Sequence, residues 1–300
     1  MKKILILGAN SYIGTSFENY IKENYPEGYE ICRTSLRGTA WQQEDWSGYD
    51  SILNVTGKAH ADIAALTEEQ KQEYYTVNCD LAVEAAKKAI ADGAGQYIYL
   101  SSIIVYGDSS NSSNSRKPVR ITADTRPQPS NFYGDSKWQA EQKLQEVFAA
   151  ENGRTVLAIV RPPMIYGPGS KGNYRMLKKL AEKLPVFPTF QNERSMLYIG
   201  NLAEFLRILA EEGREGTFLP QNAEYVCTAD MVYEIARAEG KKILRWGWLN
   251  PLVGLAFFLP GKIGKMAKKA FGSMTIDREL SLAVPGYQRY DLKESVRRSN

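Results

Sequence analysis

Through the first 163 residues, short apolar runs alternate with longer stretches whose apolar positions recur every three or four residues. That pattern predicts parallel strands covered by helices on both faces. Ile4-Leu5-Ile6-Leu7 ends at Gly8 and reads as a buried first strand, followed by a helix over 11–24. Further strands are expected at 30–33, 51–55, 96–100 and 155–160. The run 67–91, rich in Ala, Glu, Gln and Lys, predicts one or two helices, and another begins near Phe132 and reaches Ala150. Between 107 and 131, Ser, Asn, Pro and Arg dominate without periodicity, which predicts a long loop that is functional or disordered. Beyond Met164 the pattern becomes less regular. Glycine turns at Gly167, Gly169 and Gly172 precede helices expected near 174–184, 202–212, 228–239 and 262–271. The expectation is an α/β protein: a doubly wound parallel sheet over 1–163 and a smaller mixed α/β lobe over 164–300, with room for the chain to cross between them.

Composition changes this picture little. The chain of 300 residues is 43% hydrophobic and 24% charged, with a net charge of +4, and resembles neither a disordered nor a collagen-like chain. No Lys/Arg stripe interleaved with aromatics argues for nucleic acid. Cys32, Cys79 and Cys227 are widely spaced, and with a single histidine they offer no ordinary metal site. A reduced, cytoplasmic protein is the simplest reading. The apolar run at the N-terminus is too short for a signal peptide, and no run of about 20 apolar residues suggests a membrane span.

Candidate chemistry begins at the first turn. Gly8-Ala-Asn-Ser-Tyr-Ile-Gly14 leaves the first strand and opens a helix, where free N–H groups and the positive dipole end suit a pyrophosphate. This points to a Rossmann-type NAD(P) site in which Gly8, Asn10, Ser11, Tyr12, Ile13 and Gly14 contact the cofactor. Ser11 stands where a middle glycine is expected. At the end of the second strand, Cys32-Arg-Thr-Ser-Leu-Arg37 carries no carboxylate for a ribose hydroxyl, so Arg33 and Arg37 favour the 2′-phosphate of NADP.

Tyr133 and Lys137 stand at i and i+4 and share one helix face. A neighbouring ammonium favours the phenolate, and is expected to lower the tyrosine pKa from about 10 toward neutrality, at a differential stabilisation of roughly 4 kcal/mol. Tyr133 then serves as general base at neutral pH. Ser102 ends a strand at the carboxyl edge, where doubly wound sheets bind ligands, and its hydroxyl can bond a substrate oxygen.

With these motifs the chain resembles the extended short-chain dehydrogenases, particularly the nucleotide-sugar epimerases, dehydratases and 4-keto reductases typified by UDP-glucose 4-epimerase. Four elements carry the resemblance: Gly8-x5-Gly14, Leu100-Ser-Ser-Ile-Ile-Val-Tyr-Gly107, Tyr133-x3-Lys137 and Arg161-Pro-Pro-Met-Ile-Tyr-Gly-Pro168. The resemblance implies Ser102, Tyr133 and Lys137 as catalytic residues, with Thr56, Gly57 and Pro163 joining the cofactor site. It favours NAD where the two arginines favour NADP. It also implies a nucleoside-diphosphate sugar as substrate, with a UDP-sugar preferred. Asn173 and Arg194 fall where the family contacts the diphosphate, alongside Ser102 and Tyr133.

C4 epimerisation of a UDP-hexose through a 4-keto sugar is the leading expectation, and an NADPH-dependent 4-keto reductase is the alternative. Dehydration ranks third, because no carboxylate adjoins Ser102. A non-catalytic NAD(P)-binding sensor or scaffold is the rival outside enzymes. Phe187 and Phe190 are candidates to wall the uridine, with core packing at least as good a reading, and His60 reads as structural. Leu249–Leu259, flanked by Arg245 and by Lys262, Lys265, Lys268 and Lys269, is apolar beside basic, which suits anionic lipid. Pro251 and Gly254 interrupt any long helix there, so packed cap structure is expected instead. A homodimer is compatible with the chain.

Overall fold

A computed structural model describes residues 1–59, 66–107, 118–151 and 153–300. In the first half, β1 (Lys2–Leu7), α1 (Tyr12–Asn24), β2 (Tyr29–Thr34) and β3 (Ser51–Asn54) lead to α2 (Glu68–Tyr75) and α3 (Leu81–Ala91). These are followed by β4 (Gln96–Leu100), β5 (Val119–Ile121), α4 (Phe132–Ala149) and β6 (Val156–Val160). The second half begins with β7 (Met164–Tyr166), α5 (Asn173–Lys183), β8 (Val186–Phe187), β9 (Met196–Tyr198), α6 (Ile199–Glu212) and β10 (Gly216–Phe218). It ends with α7 (Thr228–Ala238), β11 (Leu244–Arg245), α8 (Asn250–Ala256), α9 (Gly261–Phe271), β12 (Met274–Ile276), α10 (Arg278–Ser281) and α11 (Leu292–Ser299).

Six parallel strands form the central sheet in the order β10-β6-β4-β3-β1-β2. The order reverses at β1, whose neighbours are β2 and β3, so the crevice at its carboxyl end is the ligand position of such sheets. The period of two along each strand divides the core. Ile4, Ile6, Ile98 and Leu100 face one way, toward α1, α6 and the second-half helices. Leu5, Leu7, Tyr97 and Tyr99 face the other, toward α3 and α4. On α3, Ala82, Ala85, Ala86 and Ala89 repeat at helical spacing and let that helix lie close to the sheet.

Two expectations need correction. The stretch 107–131 is not wholly irregular, because Val119–Ile121 pairs in parallel with Met274–Ile276. Its partner lies far along the chain, so no local period announces it. The 249–259 stretch is only partly packed cap structure, with Phe257 buried against Phe190. Leu252 and Leu255 on α8 are about 60% exposed. In addition, β10, from beyond residue 163, completes the central sheet beside β6, and α6 packs against α1. His60 lies outside the described residues.

Candidate active site

The glycine turn is built for close approach. Gly8 holds φ +109°, a conformation that disfavours side chains, and a Cβ there would sit 3.3 Å from the Thr56 nitrogen. At Gly14 a Cβ would fall 2.8 Å from Ile6 Cγ2, so glycine is what lets α1 meet β1. Ser11 caps α1, its hydroxyl accepting from the Gly14 N–H at 3.0 Å. The hydroxyl at the middle-glycine position is thus turned into the helix end. Asn10 is exposed on the turn, Ile13 is half-buried, and burial pushes the Tyr12 phenol pKa up. Pro163 is buried just after β6.

Thr56 is the clearest polar invitation at this edge, since its hydroxyl is buried without a hydrogen-bond partner among the described residues. Beside it, a Cβ on Gly57 would lie 3.2 Å from Lys137 Nζ. Open glycines, a capped helix N-terminus and an unused hydroxyl at the switch point fit a dinucleotide. Arg33 does not point freely toward a ribose. Its guanidinium pairs with Glu18 at 3.0 Å and donates to the Ala9 carbonyl at 3.1 Å, while Arg37 is exposed.

Ser102, Tyr133 and Lys137 meet next to this turn. Ser102 leaves β4 and caps a short 3₁₀ turn over 103–106, its hydroxyl accepting from the Ile104 N–H at 3.2 Å. Asn131 caps α4, whose second residue is Tyr133. Gly134 brings the two together, because a Cβ there would lie 2.8 Å from the Ile104 carbonyl oxygen. Lys137 is buried, donates to the Leu100 carbonyl at 2.9 Å, and stands 4.6 Å from the Tyr99 ring centroid.

Burial governs both titrating groups. It lowers the Lys137 pKa to about 8, against the opposing pull of the Glu141 carboxylate. Tyr133 is pushed up to about 12 by burial, with the Ser102 hydroxyl acting in the opposite direction. The expected fall of the tyrosine pKa toward neutrality is therefore not seen. Desolvation of the phenolate dominates, and the Lys137 ammonium is directed to the Leu100 carbonyl.

Beneath this trio lies a buried charge network. Arg161 at the end of β6 forks onto Glu141 of α4, its Nε 3.1 and 3.0 Å from the two carboxylate oxygens. The Arg161 Nη2 and the Ser101 hydroxyl also bond Glu141, and Arg161 Nη1 donates to the Tyr106 hydroxyl at 2.5 Å. One cluster thus joins the residue before Ser102, the 103–106 turn and the helix that carries Tyr133 and Lys137.

A model of the NAD dependent epimerase/dehydratase family matches residues 4–219. The chain belongs to this family. Among curated relatives, a UDP-glucose 4-epimerase from Vibrio cholerae is 29% identical over 300 residues, covering 92% of this chain and 87% of that protein. An N-acetyl-alpha-D-glucosaminyl-diphospho-ditrans,octacis-undecaprenol 4-epimerase from Escherichia coli O157:H7 is 28% identical over 223 residues, covering 68% of this chain and 62% of that protein. In fold, the chain is similar to a UDP-glucuronic acid 4-epimerase from Bacillus cereus solved with NAD. The TM-score is 0.70 at 15% identity, covering 99% of this chain and 97% of that one.

The substrate-lobe candidates are less concentrated. Asn173 opens α5 behind Gly172, which holds φ +88°. Arg194 sends Nη1 to the Lys269 and Gly272 carbonyls, at 2.7 and 3.2 Å, at the C-terminal end of α9. Phe187 packs on Tyr233 and Phe271, and Phe190 on Phe257 and Phe271, so both aromatics serve the packing of α7, α8 and α9. Sequence reasoning missed Glu141 and Asn78. Asn78 sits in a wide π-type turn over 76–80, where Oδ1 accepts from the Lys58 N–H at 2.7 Å and Nδ2 donates to the Ser136 hydroxyl at 3.0 Å. An asparagine inside an otherwise strong helical run was the available signal, because its amide competes with helix hydrogen bonds.

Proposed function

We infer that this chain carries out NAD(P)-dependent chemistry at C4 of a sugar diphosphate, with C4 epimerisation of a UDP-hexose as the leading reaction. The observation that carries this reading is the convergence of Ser102, Tyr133 and Lys137 beside Gly57 at the carboxyl edge of the sheet. Two curated relatives that are 4-epimerases support the choice of reaction. The E. coli relative's name places its sugar on a diphospho-undecaprenol, so the diphosphate, rather than the uridine, is the chemistry common to both names.

Each residue has a defined task. Tyr133 takes the proton of the C4 hydroxyl as phenolate and returns it to the C4 oxygen of the product. Ser102 donates a hydrogen bond to that oxygen while it has carbonyl character. Lys137 supplies positive charge near the phenol, and Glu141 with Arg161 fixes the relative positions of α4 and β6. A nicotinamide dinucleotide held at the Gly8–Gly14 turn, with Thr56 and Gly57 beside it, would supply the hydride acceptor for C4 and positive charge favouring the phenolate. Rotation of the 4-keto sugar between the two transfers inverts C4.

The second reading is a 4-keto reductase using NADPH, supported by the absence of an acid after β2. The Glu18 pairing of Arg33 weakens that support. Incubation with UDP-glucose and UDP-N-acetylglucosamine, followed by anion-exchange separation, distinguishes the readings. The 4-epimer should accumulate to equilibrium without net nicotinamide reduction, and Tyr133→Phe should stop it. Absence of any epimer, with NADPH consumed on a 4-keto-6-deoxysugar nucleotide, would instead establish the reductase.

A further inference from the structure

Thirteen large hydrophobic side chains are exposed among the described residues, and nine of them fall between 244 and 266. Trp248 is 83% exposed, Leu252, Leu255 and Phe258 follow at intervals of three along one stripe at about 60%, and Ile263 and Met266 on α9 are each 61% exposed. Scattered exposed hydrophobics need no explanation, but a concentration of this kind does. The same segment is distinctive in charge. Between 241 and 276 the sequence has seven Lys or Arg and no Asp or Glu, so the rest of the chain, with an overall charge of +4, is net negative by three. Lys265 and Lys269 are exposed on the same helix as Ile263 and Met266.

We propose that the exposed side of the 241–269 stretch is a docking face for an anionic lipid bilayer. The chemistry of the face matches that surface on both counts. Apolar side chains and two tryptophans insert at the level of the headgroups, while lysines on flexible stems reach the phosphates. Each surface lysine or arginine adds attraction to anionic lipid that neutral lipid does not offer. The segment lies on the bilayer rather than through it, since no helix among the described residues is long and apolar enough to cross one. A second copy of this chain fits poorly. A two-fold contact through this patch would set like charge against like charge, with no carboxylate in the segment to pair with it.

The face is firmly tied to the rest of the lobe. Phe190 packs against Phe257 and Phe271, and the Ala270 and Gly272 carbonyls at the end of α9 accept from Thr228 and Asn192. A bilayer contact here therefore holds the whole molecule, not a loose arm. The inference concerns a surface and is independent of the reaction proposed above.

The test is co-sedimentation of the full chain with phosphatidylcholine vesicles and with vesicles that also contain phosphatidylglycerol, with tryptophan emission recorded in parallel. Binding to the anionic vesicles should be at least about tenfold tighter, should weaken with added salt, and should shift Trp246 and Trp248 emission to the blue. The double variants Leu252→Glu/Leu255→Glu and Lys265→Glu/Lys269→Glu should each lose that binding by about tenfold or more while melting at the wild-type temperature. Equal binding to both vesicle types, wild-type binding by both double variants, or a dimer that the glutamates dissociate would overturn the proposal.

Discussion

The carboxyl edge of the sheet and the 241–276 segment both carry positive charge, and they handle it in opposite ways. At the sheet edge Lys137 and Arg161 are buried, and each has a named partner: the Leu100 carbonyl for one, Glu141 and Tyr106 for the other. In the segment, Lys242, Lys265 and Lys269 are exposed and make no ion pair among the described residues. Burial obliges pairing, because an unpartnered charge away from water costs several kcal/mol. Exposure removes the obligation. Charges at the edge are consequently committed to holding a site together, whereas these three lysines remain available to something outside the chain, although Arg245 of the same segment pairs with Asp230 at 3.9 Å.

The strongest way to separate the two regions is to remove one reacting group. Tyr133→Phe should lower turnover by about 10²–10⁴-fold in a steady-state assay while leaving vesicle binding unchanged. Next in size is the loss of one partner from the buried pair. Glu141→Ala should cost about 3–5 kcal/mol in denaturant unfolding, whereas Lys269→Glu should stay within about 0.5 kcal/mol. Comparable losses from the two substitutions would erase the distinction.

The titration of Lys137 gives a sharper comparison. Its pKa is lowered to about 8 from an ordinary 10.5, so its ammonium is present below about pH 8 and lost above it. A rate that depends on that charge should fall on the alkaline side of about 8. Between about 8 and 10.5 the unfolded chain holds a proton that the folded chain does not, so this group makes the fold more stable as pH rises through that window. Glu141→Gln removes the carboxylate that supports the charge and leaves Arg161 uncompensated nearby. Both effects move the alkaline limb of the pH–rate profile to lower pH, by about one unit. A limb that does not move would show that Glu141 has only a packing role.

The smallest effect concerns cofactor choice. Arg33 is paired with Glu18, so Arg33→Ser should change the NADPH-to-NADH affinity ratio by less than about tenfold. A loss of several hundredfold in NADPH affinity would mean that the arginine leaves Glu18 to bind a 2′-phosphate.

Much of the candidate site could be read directly. The glycine turn, the Tyr133–Lys137 spacing and the strand ending at Ser102 are local patterns, and local patterns survive in sequence. The support of that site could not be read. Glu141 meets Ser101 and Arg161 across 40 and 20 positions, and Tyr106 meets Arg161 across 55. No periodicity links residues so far apart. The three-residue strands β5 and β12, which pair across about half of the chain, are too short to show alternation. For 249–259, the apolar run was visible but its exposure was not, since hydrophobicity alone does not say whether a side chain meets protein or some other apolar phase.

The most direct measurement is to denature the purified protein and identify the released nucleotide by mass. The account predicts tightly held NAD in near-stoichiometric amount, because an epimerase returns its hydride within each turnover and has no need to exchange cofactor. A protein that releases nothing and binds NADPH far better than NADH would contradict C4 epimerisation and establish a reductase in its place.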